Sequence, residues 1–79
     1  MEVILGMVYM FSGTFVPDGF AACNGQLVQI AQNQALFSLM GTTYGGDGMT
    51  TFALPKLAAP TPGINYVVAI RGVYPSRSQ

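Results

Sequence analysis

The chain lacks the covalent and metallic braces that many small domains use. It has no histidine and a single cysteine, Cys23, among 79 residues. One thiol cannot form an intrachain disulfide, and one thiol with three scattered carboxylates does not make a structural zinc site. We therefore predict no metal and no cofactor. Since a chain of this length buries only about 60% of its unfolded surface when it folds alone, association with other chains remains as the stabilising element.

Charge is equally scarce. Three basic and three acidic residues cancel, and charged residues make up 8% of the chain while hydrophobic residues make up 51%. Small soluble domains usually carry roughly 25–35% charged residues on their surfaces. Three cations neutralise too few phosphates for nucleic-acid binding, and no apolar run approaches the roughly 18 residues of a membrane-spanning helix. We expect neither nucleic acid nor membrane insertion, and we expect apolar surface to be covered by other subunits.

The first half of the chain is rich in strand and turn signals. Residues 3–11 are apolar at nearly every position and predict a strand covered on both faces, with Gly6 marking a bulge or a close backbone contact. Pro17-Asp18-Gly19 predicts a tight turn. Asn24-Gly25 lies between two short apolar runs and predicts a hairpin that pairs residues 20–23 with residues 26–29.

One short helix is predicted, at residues 32–40. Asn33 is its expected N-cap, and Gly41 stands where a left-handed C-terminal cap belongs. An apolar stripe is predicted to face the sheet, because so short a helix is not stable alone; it comprises Ala35, Leu36, Leu39 and Met40.

The second half predicts a brief extended piece at residues 51–54 and a closing strand at residues 64–70, whose alternating apolar set is 64, 66, 68 and 70. We expect the strand at residues 7–11 to pair with this closing strand. The predicted fold class is mostly β with a minor α part. It is a small sheet and hairpin domain, one domain over residues 1–79, with one short helix packed on it.

Three of the four residues in Gly45-Gly46-Asp47-Gly48 are glycine, the residue that loses most backbone freedom on folding. A phosphate-binding loop has a helix N-terminus behind it, whereas here the helix precedes the loop and Asp47 would repel an anion. A calcium loop needs several carboxylates, and Asp47 stands alone. The pattern favours a tight reversal in which Asp47 accepts hydrogen bonds from nearby amides, with Tyr44 and Phe52 packed inward.

A stiff loop with an aromatic residue beside it is also typical of a docking surface. The candidate interface residues lie in this loop and on the strands: Tyr44, Gly45, Gly46, Asp47, Gly48, Tyr9 and Tyr66. No catalytic site is predicted. Histidine is missing, and Cys23 has no partner base, so we interpret it as a buried thiol. Asp18 and Asp47 are the only candidates for a glycosidase pair, and two acids out of three form no signature.

Several short pieces, taken in order, resemble the phage tail collar domain, a family that includes proteins called microcystin-dependent. The most specific pieces are Thr-Thr-Tyr-Gly-Gly-Asp-Gly and the Thr-Thr-Phe-Ala-Leu-Pro that follows it. Their order and spacing make the resemblance specific over nearly the whole chain. The matching pieces are residues 6–13, 17–20, 23–27, 33–41, 42–48, 50–55, 63–70 and 75–77.

The chain departs from the family pattern in four respects. Family members commonly continue Leu-Pro with Asp-Leu-Arg-Gly-Arg, whereas this chain has Lys56-Leu57-Ala58-Ala59. A tryptophan is usual where Phe20 stands, and a serine often precedes the helix where Ala31 stands. Residues 60–63 replace a long variable insertion, so contacts carried by that insertion do not transfer to this chain. What remains resembles the structural collar alone.

The resemblance implies a structural component of a phage tail, a tail fibre or a related contractile injection particle. It implies a homo-oligomer, with a trimer favoured, or association with another tail or fibre subunit. The start of the chain lacks the flanks of a signal peptide, so we expect synthesis in the host cytoplasm before incorporation into the virion tail. Two alternatives remain open: an adhesin tip that binds a receptor or host-surface glycan through Tyr44, and a small envelope-degrading glycosidase.

Overall fold

Five short strands and one α-helix form the fold of residues 2–76, the part of the chain that the computed structural model describes. In chain order the elements are β1 (Val8–Phe11), β2 (Phe20–Ala22), β3 (Leu27–Gln29), a 3-10 helix (Ile30–Gln32), α1 (Gln34–Met40), β4 (Thr51–Ala53) and β5 (Asn65–Ala69). Three strands form one sheet in the order β1-β5-β2, β3 pairs with β4, and all pairs are antiparallel. The predicted fold class is therefore confirmed.

The expected pairing of the N-terminal and C-terminal strands is confirmed, since β1 lies antiparallel to β5 with Val8 opposite Val68. The predicted closing strand is confirmed, and its alternating set faces the core, since Val68 belongs to the core and Tyr66 and Ile70 pack against it. Val67 and Ala69 are buried as well, so β5 is covered on both faces, which the alternation did not predict. Val68 belongs to the core on one face, while Val67 and Ala69 lie on the other, opposite Tyr9 of β1 and Phe20 of β2 respectively.

The prediction that residues 3–11 are one strand covered on both faces is wrong. The strand begins only at Val8, lies at an edge of the sheet, and leaves Val8, Tyr9 and Met10 exposed. The predicted bulge at Gly6 is confirmed. The N–H of Gly6 donates to the carbonyl oxygen of Ala69 at 2.9 Å, and the N–H of Ala69 donates to the carbonyl oxygen of Met7 at 2.9 Å. Gly6 and Met7 therefore both lie opposite Ala69, which is the arrangement of a β-bulge.

The predicted hairpin between residues 20–23 and 26–29 is wrong, because β2 pairs with β5 and β3 pairs with β4. Asn24-Gly25 instead carries the chain from one sheet to the other. The N–H of Cys23 donates to the carbonyl of Tyr66, and the N–H of Gly25 donates to that of Pro55. A two-residue hairpin turn of type I′ needs a positive φ at both central residues, and in the described residues only glycines have one.

The predicted helix is confirmed and ends at Met40 as expected, but it begins at Gln34 rather than at residue 32, with Asn33 at the N-cap position and Gly41 at the C-cap with a φ of 57°. The Asn33 side chain, however, donates to the carbonyl of Gln29 rather than capping α1. The predicted stripe is only partly right. Leu36 is buried and Met40 partly so, but Ala35 and Leu39 are exposed, and the half-buried Phe37 takes their place.

The core lies between the helix and the two sheets, and consists of Leu5, Cys23, Leu36, Phe52, Leu54 and Val68. Cys23 is buried in this core, which confirms its interpretation as a buried thiol, and this burial raises the pKa of the thiol. Both ends of the described chain meet beside this core, where the N–H of Leu5 donates to the carbonyl of Val73 at 2.9 Å. No helix within residues 2–76 has the length and apolar character to cross a membrane.

Candidate docking loop and exposed apolar surface

The docking loop, Gly45–Gly48, lies against the edge of β4 that does not pair with β3. The N–H of Ala53 donates to the carbonyl of Gly45 at 3.0 Å, and the N–H of Gly48 donates to the carbonyl of Thr51 at 3.0 Å. These bonds engage main-chain groups of β4 that point away from β3. The docking loop therefore covers the free edge of β4 in the two-stranded sheet.

The carboxylate of Asp47 organises this loop, as the sequence predicts. Its Oδ1 accepts hydrogen bonds from the N–H groups of Met49 (2.8 Å), Thr50 (2.8 Å) and Thr51 (2.9 Å), and its Oδ2 accepts one from the Thr50 hydroxyl at 3.0 Å. The N–H of Thr51, followed by those of Thr50 and Met49, holds the pKa of Asp47 well below its usual range. The carboxylate charge is thus bound by N–H and hydroxyl groups of the next few residues. These four hydrogen bonds make the loop stiff.

Gly46 is the glycine that this geometry requires. Its φ is +95°, and a Cβ atom built on it would lie 2.3 Å from the Cα of Phe52 and 2.7 Å from the carbonyl oxygen of Thr51. Both are backbone atoms of β4, which cannot move without breaking the pairing with β3. Glycine is needed here for close approach as well as for conformation.

The two aromatic residues that flank the loop have different surroundings. Phe52 is fully buried, as predicted, and its ring packs 5.3 Å from that of Phe37. Tyr44 was expected to pack inward and does not, because 51% of it is exposed. Met49, which sequence reasoning missed, is 84% exposed at the far end of the loop. No periodic pattern in the sequence marks Met49 as exposed. It lies in the turn where its N–H donates to the Asp47 carboxylate.

The structure does not bring Tyr9 and Tyr66 to this loop. Both lie on the three-stranded sheet, and since Tyr9 is opposite Val67, the next residue after Tyr66, the two tyrosines are on opposite faces. Tyr9 is partly exposed, with its ring 5.6 Å from that of Phe20. Tyr66 packs against the core and also lines a cavity of about 500 Å³ shared with Phe15. The seven candidate residues therefore form one contiguous loop and two separate positions.

The two acidic residues that the sequence offers for a glycosidase pair, Asp18 and Asp47, each bond to other residues of the chain. Asp47 is bound within its loop, and Asp18 accepts a hydrogen bond from Arg71 at 2.8 Å in an exposed ion pair. Within residues 2–76, no three histidine, cysteine, aspartate or glutamate side chains are grouped so that they could hold a metal ion.

Apolar side chains are exposed over much of the surface. The accessible area of 5460 Å² exceeds the roughly 4,600 Å² typical of a monomer of this mass. Half of the large exposed apolar residues fall within residues 4–16, and residues 3–17 contain no charge. The exposed set is Ile4, Met7, Val8, Tyr9, Met10, Phe15, Val16, Leu27, Leu39, Tyr44, Met49, Leu57, Val73 and Tyr74.

The family model described as Phage Tail Collar Domain matches residues 6–62. The chain belongs to the phage tail collar domain family. The collar domain match includes β1 to β4, the helix and the docking loop, while β5 lies beyond its end. Membership indicates a structural role in a phage tail or tail fibre, in the virion tail. No curated protein matches the sequence.

Proposed function

We propose that this collar domain is a structural subunit of a phage tail, a tail fibre or a related contractile injection particle, and that it acts by association with copies of itself. The observation that carries the proposal is the uncharged segment of residues 3–17, in which seven large apolar side chains are exposed. Large apolar side chains that are exposed in one uncharged segment, on both faces of β1, favour contact with other protein over contact with water.

The energetic scale supports association. Burying the exposed parts of seven such side chains contributes roughly 5–10 kcal/mol at the usual value per buried residue. Bringing two chains together costs roughly 4–15 kcal/mol in lost freedom of motion. The segment alone therefore offsets much of the cost, and backbone hydrogen bonds or further apolar contacts supply the rest.

Sedimentation equilibrium of the purified chain at micromolar concentration tests this proposal. We expect a mass that is a multiple of that of one chain. We also expect this mass to be the same at low and high salt, because the surface has few charges to screen. A stable, soluble monomer at both salt concentrations would refute the proposal.

One observation favours a second function, that of an adhesin tip. Tyr44 is half-exposed beside a loop made stiff by Asp47, an arrangement suited to stacking on a sugar ring. If this function is correct, the chain binds on a glycan array, and Tyr44→Ala abolishes binding while leaving the sedimentation mass unchanged. Tyr74→Ala, which removes another half-exposed tyrosine outside the docking loop, is the matched control and should retain binding.

A further inference from the structure

The strand β1 is an open edge, and the hydrogen bonds show which of its groups face outward. The N–H of Ala69 donates to the carbonyl of Met7, which makes this residue pair a hydrogen-bonded one. Hydrogen-bonded and non-hydrogen-bonded pairs alternate along antiparallel strands. Tyr9 and Phe11 therefore bond to β5, whereas the N–H and carbonyl groups of Val8 and Met10 point away from the sheet.

Every other strand edge has some of its outward groups engaged by the chain itself. On β2, the N–H of Phe20 donates to the carbonyl of Pro17 at 3.1 Å, and the carbonyl of Ala22 accepts from the Gln26 side chain at 3.3 Å. On β3, the carbonyl of Gln29 accepts from the Asn33 side chain at 2.9 Å.

The same is true of β4, whose outward groups bond to the docking loop as described above. Within residues 2–76, no hydrogen bond from a loop or side chain reaches the outward groups of Val8 or Met10. Natural proteins protect edges with short strands, bulges, charges, prolines or covering loops. β1 contains neither a charge nor a proline, and the bulge at Gly6 precedes Val8 and Met10, whose register with β5 is regular.

We propose that β1 pairs antiparallel with β1 of a second copy of this chain, about a twofold axis at Tyr9. This inference rests on the proposed function, because it names the surface through which the chain associates. Under this symmetry Val8 of each copy is opposite Met10 of the other. Four main-chain hydrogen bonds form, and two three-stranded sheets become one sheet of six strands.

The occupant is a second copy because the edge is complementary to itself. Two outward residues flank one central residue, so a twofold axis matches each donor with an acceptor of the other copy. The 3–17 segment has no charge that would repel its own copy. A ring of three chains built by strand pairing would require β1 to pair with a different strand edge, and the other three edges are partly engaged. The inference therefore gives a twofold contact in place of the trimer that the family resemblance favours.

Cysteine cross-linking tests both the contact and its register. At the twofold axis, the two Tyr9 Cα atoms form a non-hydrogen-bonded pair about 4.5 Å apart, which is within disulfide range. Two Met10 Cα atoms are offset by two residues along the strand and lie roughly 8 Å apart, beyond that range. With oxidised glutathione as the electron acceptor, Tyr9→Cys should give a disulfide-linked dimer, and Met10→Cys should give at most a trace.

The outcomes of this experiment are decisive in both directions. Cys23 is buried and does not compete, so the wild-type chain serves as the background. Dimer from Tyr9→Cys alone supports the inference. Equal cross-linking of both variants, or no cross-linking of Tyr9→Cys, overturns it.

A pair of lysine substitutions separates this inference from the proposed function. Met10→Lys places a charge on the β1 edge. Met49→Lys places the same charge directly after the docking loop, at a residue that is also strongly exposed. We expect Met10→Lys to sediment as a monomer and Met49→Lys to retain the wild-type mass. If the wild-type chain is a trimer, or if Met10→Lys stays assembled, the β1 contact is wrong and the proposed function stands. A monomeric wild-type chain contradicts both.

Discussion

Replacing Gly46 with alanine should destabilise the fold through two separate effects. The first is conformational, because an L-residue at a φ of +95° is strained. The second is steric, because the new Cβ would lie 2.3 Å from the Cα of Phe52 and 2.7 Å from the carbonyl oxygen of Thr51. These neighbours belong to β4, which pairs with β3 on its other edge and carries the buried ring of Phe52.

The magnitude follows from adding the two effects. A residue held at positive φ costs about 1–2 kcal/mol. Forcing a methyl group into a packed site costs about 1–3 kcal/mol more, because backbone must shift. We therefore expect Gly46→Ala to lower the free energy of unfolding by about 2–5 kcal/mol, and Gly46→Val to lower it by at least as much.

Gly19→Ala is the matched control. Gly19 has a similar φ of +87°, but a Cβ built there would meet no atom within 4 Å. Its cost should therefore be the conformational part alone. Thermal melts followed by circular dichroism, at one chain concentration, give both values, since each kcal/mol shifts the midpoint by about 4–8 °C in a chain of this size. Equal losses in the two variants, or an unchanged midpoint for Gly46→Ala, would refute the close approach of the loop to β4.

Three further predictions follow from the core and the docking loop. Leu36→Ala should cost about 2–5 kcal/mol in a urea unfolding titration, since Leu36 is 1% exposed, and a loss below about 1 kcal/mol would show that the helix does not cover the core. The depressed pKa of Asp47 means that its contribution to stability is complete above the unfolded pKa and is lost as the pH falls below about 4. Asp47→Asn should therefore lower the melting temperature at pH 7 and flatten its acid dependence. Asp18→Asn, which removes an exposed ion pair, should do neither, and equal effects would contradict the assigned loop bonds. Cys23 should react slowly with a thiol reagent at neutral pH in the folded protein and fast in urea, and fast labelling of the folded chain would contradict its burial.

Local signals predicted much of this fold correctly. The C-terminal end of the helix at Gly41, the Gly6 bulge and the Asp47 turn were predicted because each depends on a residue type with a specific backbone role. These features are encoded within a few neighbouring residues. The pairing of β1 with β5 was also predicted, but strand propensity accounts only for the two strands and not for the choice of partner.

The errors arise where long-range packing decides the outcome. Asn24-Gly25 has the sequence of a hairpin turn, yet the flanking strands find other partners, β5 and β4, that are distant in sequence. The alternation along β5 identified the face that packs on the core, but the burial of Val67 and Ala69 on the other face depends on neighbouring side chains that a single strand does not reveal. Tyr44 and Phe52 occupy similar sequence contexts, and only the tertiary fold shows that Phe52 alone packs against Phe37. The open edge of β1 follows from the order of the strands in the sheet, which local sequence patterns do not predict.

The concentration dependence of the melting temperature tests most directly whether association completes this domain. A self-associating chain loses stability on dilution by mass action, whereas a monomer does not. Over a hundredfold dilution we expect the wild-type midpoint to fall by roughly 5 °C or more, and the midpoint of Met10→Lys to stay constant. A wild-type midpoint that does not change over this range would contradict the account.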